Sequence, residues 1–207
     1  MNTSSHSTHL SDIRIDRDNI VDFLDDIINR RGAEAYLGEP LTISAHMLQC
    51  AQLAENEDAG DEMIVAALLH DIGHFTSEFP ADAYLDDIDN LHEAAGARVV
   101  EPFFPKVVVD CVRHHVEAKR YLCATEPEYT NRLSHASVLS LNLQGGPMGK
   151  SEVDTFESQP NFEAIVRVRR WDDEAKVSRR KTPPFEHYLP VLRRVVKAAV
   201  AQASNAE

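Results

Sequence analysis

The chain has 207 residues, which suits one ordinary domain with a core large enough to need no covalent staples. Hydrophobic residues make up 43% of the chain, and no apolar run approaches the roughly 20 residues of a membrane span. The net charge of −13 argues against non-specific nucleic-acid binding, which needs clustered Lys and Arg. Neither a membrane-spanning segment nor a nucleic-acid partner is therefore expected.

The two ends of the chain are polar. Residues 1–18 lack the apolar stretch of a secretory signal and are predicted to form a flexible leader. Residues 19–201 are predicted to form the folded domain and residues 202–207 a tail. The three cysteines are scattered and form no CxxC pair, which argues against disulfides or a zinc–thiolate site. This pattern is typical of a reducing cytoplasm, where we expect the protein to be located.

Helical periodicity dominates the sequence, and few alternating runs would mark strands. The first predicted helix, 19–31, has one apolar face and stops at Gly32. Two ordered loops are predicted at 75–87 and 144–148. The expected fold class is all-α in one domain. Further helices are predicted at about 42–57, 60–73, 89–100, 105–121, 133–141, 151–156, 161–175 and 185–201.

The most informative string ends an apolar helix and reads His70-Asp71-Ile72-Gly73-His74. Burying an imidazole and a carboxylate without partners is costly, and one metal ion satisfies both. Adjacent side chains point about 100° apart on a helix, so His70 and Asp71 can share an ion only near a bend. Gly73 is expected to supply that bend.

The pair resembles the signature of the HD superfamily, which also has an upstream His and a distant Asp. The resemblance implies His46 and Asp172 for these positions, and His92 and His115 for the extra ligands of two-metal members, which together form an ordered series. If Asp71 bridges two ions, each receives several protein ligands and keeps open positions for a substrate. Plainer interpretations exist, because His92 alone is typical of a helix surface and Asp172 could simply pair with Arg169. Asp173 is the alternative ligand to Asp172.

The other histidines fit no such series. His6, His9 and His187 are expected to be ordinary residues, and one of the neighbours His114 and His115 is expected to be only a flanking polar residue.

Four strings around the series separate the possible two-metal chemistries. They cover residues 32–39, 115–122, 133–137 with 143–148, and 169–176, the last reading RRWDDEAK. In this combination the chain resembles the HD-domain mixed-valence di-iron oxygenases that cleave carbon–phosphorus bonds, over about residues 22–196. Myo-inositol oxygenase is a more distant cousin. The resemblance implies an all-α, HD-domain helical bundle.

The resemblance also implies two iron ions, Fe(II) and Fe(III), with O2 as co-substrate. One ion would be held by His46, His70, Asp71 and Asp172, and the other by Asp71, His92 and His115. Imidazole and carboxylate ligands without thiolate suit iron.

Further roles follow from the resemblance. Tyr36 would occupy an open iron position at rest, held by Glu39, and would move away when the substrate arrives. Lys119, one turn beyond a ligand histidine, suits a phosphonate oxygen, with His74 and Ser137 completing the pocket. The plainer interpretations are a buried tyrosine beside a helix-entry acid, a solvated lysine and an ordinary helix serine.

The implied partner is a small organophosphonate, 1-hydroxy-2-(trimethylammonio or amino)ethylphosphonate, which would give phosphate and glycine betaine or glycine. Residues 74–80, with Tyr84 and the acids at 86–89, offer aromatic faces and carboxylates to a quaternary ammonium, or serve as loop packing and a helix cap. The resemblance of this loop favours the trimethylammonio form. A two-metal HD phosphohydrolase and a non-catalytic HD signalling module stay open, as does the oligomeric state.

Overall fold

A computed structural model describes residues 15–36, 38–77 and 89–204. Within these ranges the chain is all-α, as predicted, with one isolated antiparallel bridge between Ala35 and Thr42 and no strand. Turns of 310 helix lie at Ile72–Phe75, Thr130–Arg132 and Phe185–Tyr188. The α-helices are α1 (Ile20–Arg31), α2 (Ile43–Asn56), α3 (Asp61–Leu69), α4 (His92–Val100), α5 (Lys106–Thr125), α6 (His135–Leu143), α7 (Lys150–Glu157), α8 (Phe162–Glu174) and α9 (Leu189–Ser204).

Each predicted helix is present, but some ends differ. The predicted 60–73 helix is wrong at its end, because α3 stops at Leu69 and a 310 turn follows. Helix α5 runs past its predicted end at 121, because Leu122 still faces the core, and it stops before Glu126. The proline at 127 disfavours helical geometry at the residue before it.

Side-chain caps fix the starts of two helices that carry site residues. The hydroxyl of Thr42 accepts the N–H of Ala45 at 3.2 Å and begins α2. The hydroxyl of Ser134 accepts the N–H of Ser137 at 3.2 Å and begins α6. Hydrogen bonds between residues close in sequence therefore define where these two helices begin.

The folded region begins before residue 19. The carboxylate of Asp16 accepts the N–H of Asn19 at 3.1 Å, and Ile15 packs against the core. Residues 1–14 of the predicted leader, residues 205–207 of the predicted tail and most of the predicted loop 75–87 lie outside the described residues.

Helices α3 and α5 lie at the centre of the bundle. Helix α3 packs against α2, α5, α8 and α9, and α5 packs against α3, α4 and α8. Leu68, Leu69 and Leu122 are fully buried where these helices meet. In the described part of the chain, no helix is both long and apolar enough to cross a bilayer.

Gly73 allows an unusually close approach between the 310 turn and α4. A Cβ atom at Gly73 would lie 1.7 Å from the carbonyl oxygen of His92. Gly96 completes the contact, since a Cβ there would lie 3.0 Å from the backbone nitrogen of Gly73. The predicted bend after Asp71 is present as this 310 turn, and the glycine serves backbone packing.

Candidate metal centre

Five helices deliver six side chains to one buried point. Helix α2 contributes one, the end of α3 two, and α4, α5 and α8 one each. None of the six is more than 6% exposed. These are the six residues predicted as metal ligands: His46, His70, Asp71, His92, His115 and Asp172.

The carboxylate of Asp71 lies between two pairs of imidazoles. Its Oδ2 atom is 3.4 Å from Nε2 of His46 and 3.4 Å from Nε2 of His70. Its Oδ1 atom is 3.4 Å from Nε2 of His92 and 3.3 Å from Nε2 of His115. Ligand atoms that share one ion at about 2.1 Å lie roughly 3 Å apart, so each side has the spacing for an ion.

The centre has two sides, named here by the residue that each side alone possesses. The Asp172 side consists of His46, His70, Asp172 and Oδ2 of Asp71, with Asp172 Oδ1 3.3 Å from Nε2 of His46. The His115 side consists of His92, His115 and Oδ1 of Asp71, with the two imidazole Nε2 atoms 2.9 Å apart.

The four histidines in this centre share one tautomer. Each has its Nδ1 within hydrogen-bond distance of a carbonyl oxygen, which can only accept, so the hydrogen lies on Nδ1 and the lone pair on Nε2 faces the centre. The pairs are His46 with Ala175 O at 3.3 Å, His70 with Ala67 O at 2.8 Å, His92 with Asn90 Oδ1 at 2.8 Å, and His115 with Val112 O at 2.8 Å.

Two buried carboxylate oxygens in the centre lack a hydrogen bond within the described part of the chain, although Lys176 Nζ lies 3.3 Å from one of them, Asp172 Oδ1. Asp71 Oδ2 and Asp172 Oδ1 have no hydrogen-bond partner among the described residues. Leaving such atoms unpaired away from water is costly, and an ion on the Asp172 side would satisfy both. The donor set therefore fits the metal ions that the sequence predicted.

Asp172 pairs with Arg169 and still faces the centre. Its Oδ2 accepts from Arg169 Nη1 at 2.6 Å, while its Oδ1 points to the histidines. Burial opposes ionisation, but Arg169 and Lys176 hold the pKa of Asp172 well below its usual range. The neighbouring Asp173 instead accepts hydrogen bonds from Arg169 and Tyr129, so the geometry favours Asp172 as the ligand.

His74 points at the centre with the opposite tautomer. Its Nδ1 lies 3.2 Å from the amide nitrogen of Asn90, which can only donate. The hydrogen of His74 is therefore on Nε2, which lies 3.8 Å from Asp71 Oδ1. His74 Nε2 has no hydrogen-bond partner in the described ranges. His74 presents a hydrogen-bond donor and no lone pair.

A cavity opens onto the centre, with about 500 Å³ of empty space that includes open solvent at its mouth. Asp71, Asp172 and the two histidines of the His115 side line it. Its remaining lining residues include two lysines, an arginine, an acid and two serines: Lys119, Lys176, Arg169, Asp89, Ser137 and Ser140.

Two lysines each contact a serine of α6. Lys119 Nζ donates to Ser140 Oγ at 2.8 Å, and Lys176 Nζ donates to Ser137 Oγ at 3.2 Å. Lys119 is only 3% exposed, and burial, followed by the charge of Arg169, lowers its pKa to about 7. Together these groups form a wall of cations and hydroxyls.

Known proteins match this chain closely. The HD domain family matches residues 43–142. A glycine-betaine-forming [1-hydroxy-2-(trimethylamino)ethyl]phosphonate dioxygenase from Leisingera caerulea is 55% identical over 183 residues, which is 88% of this chain and 93% of the relative. The chain belongs to the HD-domain di-iron oxygenase family. A hydroxymethylphosphonate dioxygenase from Gimesia maris is 44% identical to this HD-domain oxygenase over 156 residues, 75% of this chain and 78% of the relative.

These relatives confirm the predicted family, the HD-domain fold and the enzymatic, C–P-cleaving oxygenase function. The coarser part of the cofactor prediction, a site suited to metal ions, is supported by the two histidine clusters. The role of each residue in the site stays a prediction.

Tyr36 of the oxygenase lies beside the centre, and its predicted place at an iron position stays a prediction. Its ring stacks on His46, with centroids 4.2 Å apart, and it lines the cavity. The bridge between Ala35 and Thr42 fixes this position. Burial, with the nearby carboxylate of Asp71, raises the pKa of Tyr36 well above its usual range, so the phenol is neutral.

Glu39 lies at the far end of the same turn. Its backbone N–H donates to the carbonyl oxygen of Tyr36 at 2.6 Å across Gly38, whose φ of +74° favours glycine. Glu39 is not among the described residues that line the cavity. Its predicted contact with the phenol therefore stays a prediction.

Sequence reasoning gave no site role to several residues that line the cavity of the oxygenase, among them Asn90, Ser140, Gln144, Lys176 and Arg169. Helical spacing could have found three of them, since Ser140 follows Ser137 by three positions, and Lys176 and Arg169 flank Asp172 at +4 and −3.

Cys50 is a further neighbour that the sequence did not reveal. It lies one turn after His46 on α2, with its sulfur 3.9 Å from His46 Nε2. Burial, then the nearby carboxylates, raises the pKa of its thiol well above the usual range, so the sulfur is neutral.

Two other histidines are ordinary, as expected. His187 contacts Glu55 at the surface at 2.9 Å, and His114 contacts Glu117 at 2.5 Å. His6 and His9 lie outside the described residues.

Proposed function

We propose that this oxygenase holds two iron ions and uses O2 to cleave the C–P bond of 1-hydroxy-2-(trimethylammonio)ethylphosphonate, giving phosphate and glycine betaine. The amino analogue, which would give glycine, is the alternative substrate. The observation that carries the proposal is the carboxylate of Asp71, which offers one oxygen to each histidine pair. The identity to the Leisingera caerulea enzyme supports the choice of substrate.

The donor set supports iron. The His115 side offers two imidazoles and one carboxylate, a set typical of non-heme iron with open positions, and the Asp172 side offers four ligands. The nearest sulfur belongs to the neutral thiol of Cys50. When bound, the iron pair supplies the redox chemistry that activates O2 and the Lewis acidity that holds the substrate's oxygens.

The wall of lysines and serines suits the phosphonate. The chain carries a net charge of −13, so an anionic substrate needs local positive charge. Lys119 and Lys176 supply that charge, and Ser137 and Ser140 can turn their hydroxyls toward phosphonate oxygens. The Nε2–H of His74 is one more donor facing the same cavity.

The opposite charge at Asp89 supports a cationic substrate. Asp89 lines the cavity. Val116 and Leu143 form an apolar part of the cavity wall, which suits methyl groups. The predicted aromatic partners at 79 and 84 lie outside the described residues. Phe75 is buried under Arg31, whose guanidinium carbon is 5.6 Å from the ring centroid.

Tyr36 is proposed to close the centre until the substrate arrives. Its stacking on His46 and its buried, neutral phenol support a side chain that covers the Asp172 side. Its movement would admit the substrate's oxygens, and Glu39 is proposed to hold the phenol in the closed state. We also propose that the enzyme works in the cytoplasm, as its free cysteines suggested.

The proposal is tested by loading the protein with ferrous iron and ascorbate and measuring oxygen uptake together with phosphate release. The trimethylammonio, amino and hydroxymethyl phosphonates are compared, and the trimethylammonio form is expected to give the highest kcat/KM. Phosphate release from p-nitrophenyl phosphate without oxygen uptake would instead indicate a hydrolase. A folded protein that binds no metal would indicate a non-catalytic module.

A further inference from the structure

Asn90 lies between His74 and His92 and contacts both. Its Oδ1 is 2.8 Å from Nδ1 of His92, and its Nδ2 is 3.2 Å from Nδ1 of His74. The side chain is 8% exposed, so water does not replace these contacts readily. One amide group therefore acts on two neighbouring imidazoles.

The two ends of the amide have opposite hydrogen-bonding roles. The oxygen only accepts, so the facing Nδ1 of His92 carries a hydrogen and its Nε2 keeps a lone pair. The NH2 group only donates, so the facing Nδ1 of His74 is bare and its Nε2 carries the hydrogen. Neither imidazole needs a charge for this arrangement.

The surroundings hold this arrangement in place. The two rings stack, with centroids 4.2 Å apart and planes within 9°. The hydroxyl of Ser77 donates to the carbonyl oxygen of Asn90 at 2.6 Å. Leu91, with φ +48°, turns the backbone so that the side chains on both sides of it face inward.

We propose that Asn90 is a positioning residue that gives its two histidine neighbours opposite tautomers, making His92 a metal ligand and His74 a hydrogen-bond donor. The proposal rests on the metal ligands assigned under the proposed function, but it does not depend on which substrate is cleaved. It explains why two stacked imidazoles that both face the centre have different roles.

The donor state of His74 keeps a metal position free. Its Nε2 is 3.8 Å from Asp71 Oδ1, near enough that a lone pair there would offer the His115 side a third imidazole. A hydrogen on that atom prevents coordination, since only the bare nitrogen is a ligand. The open position then stays available, and the N–H faces whatever enters the cavity.

The first test reads the tautomers directly. The full-length protein, with 15N-labelled histidine, is studied by imidazole 15N NMR in metal-free form and after loading with diamagnetic Zn2+. His74→Gln and His92→Gln variants assign the signals. We expect a bare Nδ1 and a protonated Nε2 for His74, and the reverse for His92. A protonated Nδ1 on His74 in the wild-type protein would overturn the proposal.

The second test separates the two ends of the amide. Asn90→Asp keeps an acceptor for His92 but replaces the donor to His74 with a second acceptor, so Nδ1 of His74 is expected to become protonated. Asn90→Leu removes both contacts and is expected to weaken Zn2+ binding on the His115 side by about 10- to 100-fold, as for other partners of metal-bound histidines.

Asn142→Asp is the matched control, because it adds the same charge at an exposed position of α6. It should leave both the His74 signals and the Zn2+ affinities unchanged. Unaltered His74 signals in Asn90→Asp, or wild-type Zn2+ affinity in a folded Asn90→Leu protein, would contradict the proposal. If oxygen uptake is absent but the tautomers are as expected, the proposed function fails and this inference stands.

Discussion

The Asp172 side and the His115 side of the centre share Asp71 but are built differently. His46 and His70 are fully buried and do not contribute to the described lining of the cavity. Both histidines of the His115 side do line it. The histidines of the Asp172 side are therefore enclosed by helices and only Asp172 and the shared Asp71 of that side reach the cavity, whereas both histidines of the His115 side face it.

The two sides also differ in charge. The Asp172 side has a second carboxylate, and Arg169 and Lys176 compensate for it at 2.6 and 3.3 Å. The His115 side has only one oxygen of Asp71, and its His92 depends on the irregular segment that precedes α4. The comparison indicates that the Asp172 side is held by more charged contacts, while the His115 side is more accessible from the cavity.

Removing the carboxylate that the two sides share should abolish metal binding on both sides. Asp71→Ala is expected to lose both metal ions and to lower activity by more than about 100-fold, because neither side retains its bridging oxygen. Metal content by elemental analysis and oxygen uptake measure this. Asp110→Ala is the matched control: it removes another buried carboxylate, whose partners are Lys106 and Asn161, and should lower stability without changing metal stoichiometry.

Removing one ligand from one side should separate the two ions. Asp172→Ala and His115→Ala are each expected to reduce metal binding from about two equivalents to about one, measured by titration of the metal-free protein. Asp172→Ala removes one of the two carboxylate partners of the buried Arg169 and leaves Asp173, so the free energy of unfolding should fall by about 1–3 kcal/mol. Loss of both ions from His115→Ala would show that the sides are not independent.

Substitutions in the cavity wall should leave metal binding on both sides unchanged. Lys119→Met is expected to keep two metal ions and to raise the phosphonate KM by roughly 10- to 100-fold, the effect of one hydrogen bond to a charged group. Lys150→Met, on an exposed residue of α7, is the control. Unchanged phosphonate affinity would remove Lys119 from the substrate pocket.

The same lysine predicts a pH dependence. Burial, and then the charge of Arg169, lowers the pKa of Lys119 to about 7, so its ammonium is present below that pH and lost above it. Phosphonate affinity should therefore fall as pH rises, by up to about tenfold per unit above roughly pH 7. A profile of KM against pH measures this, and the part due to Lys119 should be absent in Lys119→Met.

The smallest effects are expected at Leu91, which supports only the His115 side. Its left-handed backbone costs a non-glycine residue about 1–3 kcal/mol, and its side chain is 50% exposed. Leu91→Gly should keep activity and change stability by less than about 1 kcal/mol, whereas the β-branched Leu91→Ile should be less stable by about 1 kcal/mol. Thermal unfolding checks both, and equal Tm values would contradict the role given to the backbone.

The convergence of the six predicted metal ligands could be anticipated from the HD resemblance, and five of the six lie in or directly beside regular helices. His46, His70 and His115 interrupt otherwise apolar faces, and spacing alone places each on the inner side. Asp172 was harder, because its spacing from Arg169 suggested an ion pair equally well. In the structure Asp172 Oδ2 pairs with Arg169, while Oδ1 faces His46 in the centre.

The positions of Asn90, Glu39 and the end of α3 could not be predicted from residue spacing, because the backbone is irregular at each of them. Asn90 lies in an irregular stretch, and the left-handed Leu91 reverses the direction that any periodic pattern would give it. The end of α3 was misplaced because the apolar run continues through Ile72, although the backbone has already changed to a 310 turn. Glu39 shows the same limit, since its neighbour Gly38 has a positive φ.

The contact between Gly73 and His92 connects backbone packing with the magnetic properties of an iron-loaded centre. The 310 turn follows Asp71, and α4 begins at His92. A Cβ atom on Gly73 would lie 1.7 Å from the carbonyl oxygen of His92, so only glycine lets the turn and α4 approach this closely. The contact therefore sets the distance between Asp71 and His92, the latter on the His115 side. Two irons, if held on the two sides, would share the Asp71 carboxylate, and a displacement of His92 relative to Asp71 would change their spin exchange. Gly73→Ala should therefore alter the electron paramagnetic resonance signal of an iron-loaded centre, even in a preparation that retains its full iron content.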